Sequence, residues 1–196
     1  MHGLVIRAFE SFMRSTYGDG LWDDLVLQQD AGVETFEPMF HYDDALAWAL
    51  LGASAARLGK PVEALLEDFG TFLVAHPASE RVRRLLRFGG GDYEDFLASL
   101  EDLSGRVRLA VPDLVLPELE LDEGDNGDYR LHAARAPDEL APVMAGLLRA
   151  LADDYGALVL IEEVGGAGDG VTMSVRLLER AFSEGRGFAL TQRAAV

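Results

Sequence analysis

The chain of 196 residues contains no cysteine, so disulfide bonds and thiolate metal sites are excluded. No apolar run in it approaches the roughly 20 residues that a membrane-spanning helix needs. The N-terminus also lacks the basic region, apolar core and cleavage site of a secretory signal peptide. From these absences we predict a cytoplasmic protein.

Basic residues are scarce as well. Lys and Arg number 17 against 34 Asp and Glu, which gives a net charge of −17. A surface this acidic repels phosphate backbones and anionic lipid, so we expect neither nucleic acid nor a membrane as a partner. Hydrophobic residues make up 49% and charged residues 26%, the balance of a folded domain rather than a disordered chain.

The motifs of common active sites are also missing. The four histidines show no His-x-x-His or His-Glu-x-x-His spacing, so hydrolysis by a bound metal has no support. The glycine runs at 89–91 and 165–170 lack the lysine of a phosphate-binding loop. Ser104 has no histidine near it in the sequence to activate it as a nucleophile. We therefore predict that the chain is not an enzyme and has no catalytic residues.

The N-terminal half has the periodicity of helices. The predicted helices cover 2–17, 19–29, 45–58, 61–75 and a short basic segment at 79–88. The helix at 45–58 is apolar nearly all round, a pattern typical of a helix buried on most sides.

The segment from Asp92 to Gly105 is the most informative stretch. Asp92 is a predicted N-cap, and Tyr93, Phe96, Leu97, Leu100 and Leu103 follow at helical spacing. Ser104 lies four residues after Leu100, on the same stripe, and we expect Gly105 to end the helix. A short polar side chain thus sits on a face that should be buried.

After this helix the period changes to that of strands. Alternation predicts an edge strand over 114–122 kinked at Pro117, a turn at 124–127, a return strand over 129–135, a helix over 138–154, and strands over 157–164 and 171–178. The predicted fold class is α+β, with a helical N-terminal lobe packed on a C-terminal four-stranded antiparallel sheet that carries a covering helix.

Four segments carry a resemblance to a known family. They are MHGLVIRAFESFMRSTYGDGLW, YDDALAWALLGASAARLGKPVEALLEDFG, FLASLEDLSGRVRLAVPDL and LHAARAPDELAPVMAGLLRAL. In this order they resemble the haem nitric oxide/oxygen-binding (H-NOX) family, the sensor domain related to soluble guanylate cyclase. The resemblance implies one sensor domain over 1–182, with lobes at about 1–90 and 91–182. Residues 183–196 carry little pattern, and we predict that they form a tail or a link to a partner.

Four positions depart from the family pattern. The family has the histidine that ligates haem iron at the position of Ser104. Its Tyr-x-Ser-x-Arg motif, which binds the haem propionates, falls on Ala133, Arg135 and Pro137. Since all four family residues are replaced, the resemblance implies a member that has lost its haem. We predict no cofactor and no metal site.

Replacement of the iron ligand stays open as an alternative, because haem iron also accepts methionine or tyrosinate. His132 adjoins the motif positions, but strand alternation turns it away from Ala133. Met144 lies on an inward helix face, where it serves equally well as core filler. The other histidines lie at the terminus or at the ends of elements: His2, His41 and His76.

In this family haem lies between the lobes, so we predict an interior apolar pocket there. The predicted walls are Leu4, Val5, Phe9, Leu97, Leu100, Ala133, Met144 and Leu148, with Ser104 at one edge. Arg135 either adds one cation to this pocket or forms a surface ion pair. A pocket with apolar walls and one cation suits an apolar small molecule, including one that carries a carboxylate.

Three functions are therefore open. The leading hypothesis is a haem-free sensor that binds an apolar small molecule and signals to a protein partner, which the sequence does not name. The second is a collapsed domain that acts only through protein–protein contacts. The third is a haem-based gas sensor for NO or O2 with a replacement axial ligand.

Overall fold

The computed structural model describes residues 1–30, 32, 35–164 and 170–179. The predicted tail at 183–196 and most of the glycine run at 165–170 lie outside the described residues. Within these ranges a series of helices precedes an antiparallel sheet, and a long helix separates its two hairpin halves. This confirms the predicted α+β class.

The element bounds lie within a few residues of most predictions. The helices are α1 (Gly3–Tyr17), α2 (Asp19–Gln28), α3 (Asp44–Leu58), α4 (Val62–Ala75), α5 (Glu80–Leu86), α6 (Tyr93–Ser99), α7 (Leu103–Ala110) and α8 (Leu140–Tyr155). The strands are β1 (Leu119–Glu123), β2 (Asp128–Ala134), β3 (Leu158–Glu163) and β4 (Gly170–Glu179).

The prediction that α3 is buried on most sides is wrong. Its buried residues are Leu50, Leu51, Ser54 and Ala55, all on one side. Trp48 is 39% exposed. The exposed side is rich in alanine, which favours a helix without needing burial, so apolar composition alone overstated how far the helix is enclosed.

The helix predicted to end at Gly105 continues past it. After α6 the chain makes a tighter helical turn at Leu100–Asp102 and resumes as α7, which ends at Ala110. Gly105 is exposed within α7, and a side chain there would meet no atom within 4 Å. The helix ends instead two residues before Pro112, because a proline disfavours helical backbone in the residue that precedes it.

The sheet is antiparallel with strand order β1-β2-β4-β3. Ala133 of β2 pairs with Leu119 on one side and Val171 on the other, and its side chain is on the buried face. His132 lies on the opposite face, where its Nδ1 is 3.0 Å from Thr172 Oγ1. The outward orientation predicted for His132 is confirmed.

The first strand is shorter than predicted. β1 begins at Leu119, two residues after Pro117, and residues 114–118 are not in the sheet. Proline has no N–H to donate to a neighbouring strand. The strand therefore begins only after Pro117 and is not kinked by it.

Two separate buried clusters form the core. One is built from α1 to α4 and contains Phe9, Phe12 and Trp22. The other lies between α6, α8 and the inner face of the sheet. The two clusters meet at α4, which contributes Phe69 to the first and Val74 to the second.

Helices α4 and α8 connect the two parts through a close crossing. A Cβ on Gly70 would lie 2.1 Å from the Val143 carbonyl oxygen, and a Cβ on Gly146 would lie 2.0 Å from the Glu67 carbonyl oxygen. Only glycine permits this approach of two backbones.

Candidate sensory site

Ser104 is the second residue of α7 and is 6% exposed. Its hydroxyl donates a hydrogen bond of 2.8 Å to the Pro117 carbonyl oxygen. The bond satisfies a buried hydroxyl and joins α7 to the segment that leads into β1. The side chain at the position that the resemblance assigns to the iron ligand is thus already bonded to the chain's own backbone.

Five of the predicted pocket residues do come together. Leu97, Leu100, Ala133, Met144 and Leu148 belong to the buried cluster between α6, α8 and the sheet. Their exposed fractions are 0%, 2%, 0%, 8% and 1% respectively. A void wide enough for water beside them would leave more of their surface accessible. These side chains are therefore packed against other protein atoms.

The three predicted residues from α1 lie elsewhere. Phe9 belongs to the helical cluster, with its ring centroid 5.5 Å from that of Phe69. Leu4 is 36% exposed and Val5 is half-buried. The prediction that these residues share walls with the cluster around Leu100 is not met by this packing. Leu4 and Val5 lie off the face that α1 turns inward, whereas Phe9 lies on that face but packs within the helical cluster.

That inward face includes Ile6, which the sequence prediction missed. Ile6 is 3% exposed, and Phe9 and Met13 follow it at the spacing of one helix face. The signal was therefore present in the sequence. The sequence prediction also missed three core residues of β4, because it assigned no pocket residue to that strand. They are Val171, Met173 and Val175.

Arg135 does not face the interior. It has a φ of 52°, in the left-handed region, and its side chain is exposed. The backbone reversal interrupts the strand alternation after Ala134, so the prediction that Arg135 adds a cation to an apolar pocket is wrong. The predicted alternative, an ion pair with an acid, is not formed with any residue in the described ranges. Pro137 is also exposed, and its carbonyl accepts the N–H of Leu140 at the start of α8.

Other side chains that could ligate iron have structural roles. The Tyr93 hydroxyl donates to the Leu148 carbonyl oxygen at 3.0 Å, and burial raises the pKa of Tyr93, which disfavours the tyrosinate. His2 accepts the Leu4 N–H at Nδ1 and caps α1. His76 accepts the Ala78 N–H in the same way. In the described part of the chain, no group of three or more His, Asp or Glu is placed to hold a metal ion.

An ion cluster that sequence spacing did not reveal holds α5 against α8. Asp154 accepts hydrogen bonds of 2.9 Å from Arg83 Nε and from Arg87 Nη1. The Arg87 guanidinium also lies 4.4 Å from the centre of the Tyr155 ring. Burial raises the pKa of Tyr155, and the Arg87 charge opposes that rise.

The sequence profile of the Haem-NO-binding family matches residues 2–163. The chain therefore belongs to this family of haem-NO-binding (H-NOX) sensor domains, as the resemblance implied. None of the helices in the described ranges is both long and apolar enough to cross a bilayer.

Among curated proteins, the chain is similar to soluble guanylate cyclase gcy-35 of Caenorhabditis elegans, with 27% identity over 155 residues. It is also similar to the soluble guanylate cyclase subunit beta-2 of Rattus norvegicus, with 27% identity over 94 residues. These matches cover 78% and 48% of this chain, but only 22% and 14% of the relatives. The chain thus spans about a fifth or less of the length of these cyclases.

Solved structures share the fold at lower identity. An H-NOX protein from S. oneidensis in the Fe(II) ligation state has a TM-score of 0.78 at 18% identity, covering 91% of this chain and 97% of that one. An H-NOX mutant from T. Tengcongensis has a TM-score of 0.76 at 17% identity, with 93% and 100% covered. Identity this low establishes the fold alone.

Proposed function

We propose that this chain is a haem-free H-NOX sensory domain that acts on a signalling partner through protein–protein contacts. The observation that carries the proposal is the state of Ser104. Its hydroxyl is buried and bonded to the Pro117 carbonyl, at the position where the family places its iron ligand. A neutral hydroxyl in this state offers haem iron no axial bond.

The buried cluster between α6, α8 and the sheet supports the same proposal. Leu97, Leu100 and Ala133 are almost completely enclosed by protein atoms, so a porphyrin could enter only by displacing them. The exposed Arg135 and Pro137 replace two of the residues that hold propionates in the family. The residues present therefore do not fit haem.

An apolar small molecule between the lobes is the second candidate. It is favoured by one observation, which is that Leu4 and Val5 remain partly exposed although both are apolar. A ligand that covered them would bury that surface, at a gain of about 25 cal/mol per Å². Because Leu100 and Ala133 are packed against protein atoms, this candidate has less support than a domain that acts only through protein–protein contacts.

Titration with haemin tests the proposal. The protein is incubated with an equimolar amount of haemin, passed through gel filtration, and measured for Soret absorbance across the protein peak. We expect no haem to co-elute. A stoichiometric Soret band that survives the column would replace this proposal with the third hypothesis, a gas sensor with another axial ligand.

A matched pair of variants tests whether haem is excluded only by the loss of the iron ligand or also by the packing of the interior. Ser104→His restores the family residue type, and Leu103→His places the same side chain one position away on the partly buried neighbour. Under the proposal neither variant takes up haem stoichiometrically, because the interior is closed and the propionate anchors are absent. Uptake by Ser104→His alone would show that the space for a porphyrin persists.

A further inference from the structure

The start of the chain is fastened to the segment that leads into α3. Residues 1–3 lie antiparallel to residues 40–42. Gly3 N–H donates a hydrogen bond of 2.7 Å to the Phe40 carbonyl oxygen, and Tyr42 N–H donates one of 2.9 Å to the carbonyl oxygen of the first residue. We call these two segments the N-terminal clasp. The clasp fixes the direction in which the chain enters α1.

The clasp contains the cap of α1, and that cap is a histidine. His2 has an extended backbone, and its Nδ1 accepts the Leu4 N–H at 3.1 Å. Helix caps are usually Ser, Thr, Asp or Asn, whose side-chain oxygens accept a hydrogen bond throughout the physiological pH range. An imidazole nitrogen accepts one only while it is unprotonated. The cap of α1 therefore exists in only one charge state of His2.

The surroundings of His2 favour the neutral ring. His2 is 6% exposed, and its Nε2 has no hydrogen-bond partner among the described residues. The His41 ring stands across it, with centroids 4.9 Å apart and planes 76° apart. A second proton, on Nδ1, would face the Leu4 N–H, donor against donor. It would also place a buried cation at the positive end of a helix.

The charged groups of the adjoining segments do not compensate such a cation. Asp44 pairs with the ammonium group of Met1, and Asp43 caps α3. Glu37 is exposed, so solvent screens its charge. His41, the ring that faces His2, adds a second positive charge when it is protonated.

We propose that His2 makes the N-terminal clasp sensitive to pH, because protonation at Nδ1 removes the cap of α1 and releases residues 1–3 from residues 40–42. The cap is intact while His2 is neutral and is lost as the pH falls. Leu4 and Phe40 adjoin the clasp and are 36% and 61% exposed, so its release enlarges an apolar surface that a partner can contact. This regulation does not depend on whether the chain binds haem.

The tautomer of His2 is the first test. The full chain labelled with ¹⁵N is measured by two-bond ¹H–¹⁵N correlation of the imidazole rings at about pH 8, where histidine is neutral. We expect the hydrogen of the His2 ring on Nε2, as the bond from the Leu4 N–H requires. A hydrogen on Nδ1 would overturn the proposal, since that ring could not cap α1.

Amide hydrogen exchange is the second test. Between about pH 8 and about pH 5, exchange at Gly3, Leu4 and Tyr42, corrected for its intrinsic pH dependence, should become about tenfold faster. His2→Asn keeps a capping acceptor that does not titrate, so its protection should change by less than about twofold. His76→Asn is the matched control, because His76 accepts the Ala78 N–H at Nδ1 outside the clasp. It should keep the response of the parent.

A further variant separates the two histidines of the clasp. His41→Phe keeps an aromatic ring against His2 and removes the other titrating ring, so it should also keep the response of the parent. Loss of the response in this variant would assign it to His41 and overturn the proposal. Constant protection of the parent, or the same loss of protection in the parent and in His2→Asn, would overturn it as well.

Discussion

Ala133→Tyr is the substitution that probes the proposed closed interior most sharply, because the resemblance assigns the family's tyrosine to this position. Ala133 is fully buried on β2, between Leu119 and Val171 of the neighbouring strands. If space for a porphyrin remained beside it, a phenol ring would fit without strain. If the interior is packed as described, the ring must displace its neighbours.

The expected loss of stability is large. Overpacking a close-packed core by a few methylenes costs about 1 to 3 kcal/mol, and a phenol ring is bulkier, so we expect the unfolding free energy to fall by about 3 kcal/mol or more. For a chain of this size that corresponds to a drop in Tm of roughly 6 to 12 °C. Urea unfolding followed by circular dichroism measures it.

Ala134→Tyr is the matched control, because Ala134 is the next residue on the same strand and points to the outer face. This variant should change the unfolding free energy by less than about 1 kcal/mol. If Ala133→Tyr were as stable as Ala134→Tyr, the packed interior would be refuted and the pocket hypothesis would gain support.

Three further predictions concern the framework. Gly146→Ala should destabilise the fold by about 3 kcal/mol in urea unfolding, because its Cβ would overlap the facing helix, whereas Gly52→Ala on an exposed helix face should stabilise it by about 0.5 to 1 kcal/mol; equal effects would refute the close crossing. Asp154→Asn should lower the unfolding free energy by about 1 to 3 kcal/mol, because it weakens the bonds to two arginines. High salt should reduce this difference between parent and variant, and a difference that salt left unchanged would contradict the ion pairs. Burial raises the pKa of Tyr93 above its ordinary value of 10.0, so its contribution to stability is present below pH 10 and is lost as pH rises further. Tyr93→Phe should therefore lose less stability than the parent between pH 9 and 11, and parallel curves would contradict that assignment.

The order of elements could be predicted because local signals coincide with tertiary structure there. Asp43 accepts the Ala45 N–H and Gly59 adopts a left-handed φ of 64°, so the cap and stop residues of α3 act as their types suggest. The alternation that turned His132 outward and Ala133 inward likewise survived in β2. The family resemblance added the arrangement of the lobes, which spacing alone does not determine.

The site was harder to predict, because its geometry depends on contacts distant in sequence. Arg135 leaves the strand pattern through one left-handed residue, and no local motif marks it. Asp154 meets Arg83 across 71 positions of the chain. In the sequence, Gly70 and Gly146 are only residues of low helix propensity. Their role follows from the close crossing of the two helices. Periodicity identifies which residues are buried but not which buried residues meet.

Native mass spectrometry of the chain purified without added haem tests the central claim most directly. The account predicts the mass of the bare polypeptide, 21.3 kDa, with no bound molecule. A species heavier by one haem would contradict the haem-free assignment. A species carrying a smaller apolar molecule, lost when Ala133→Trp fills the interior, would contradict the packed interior.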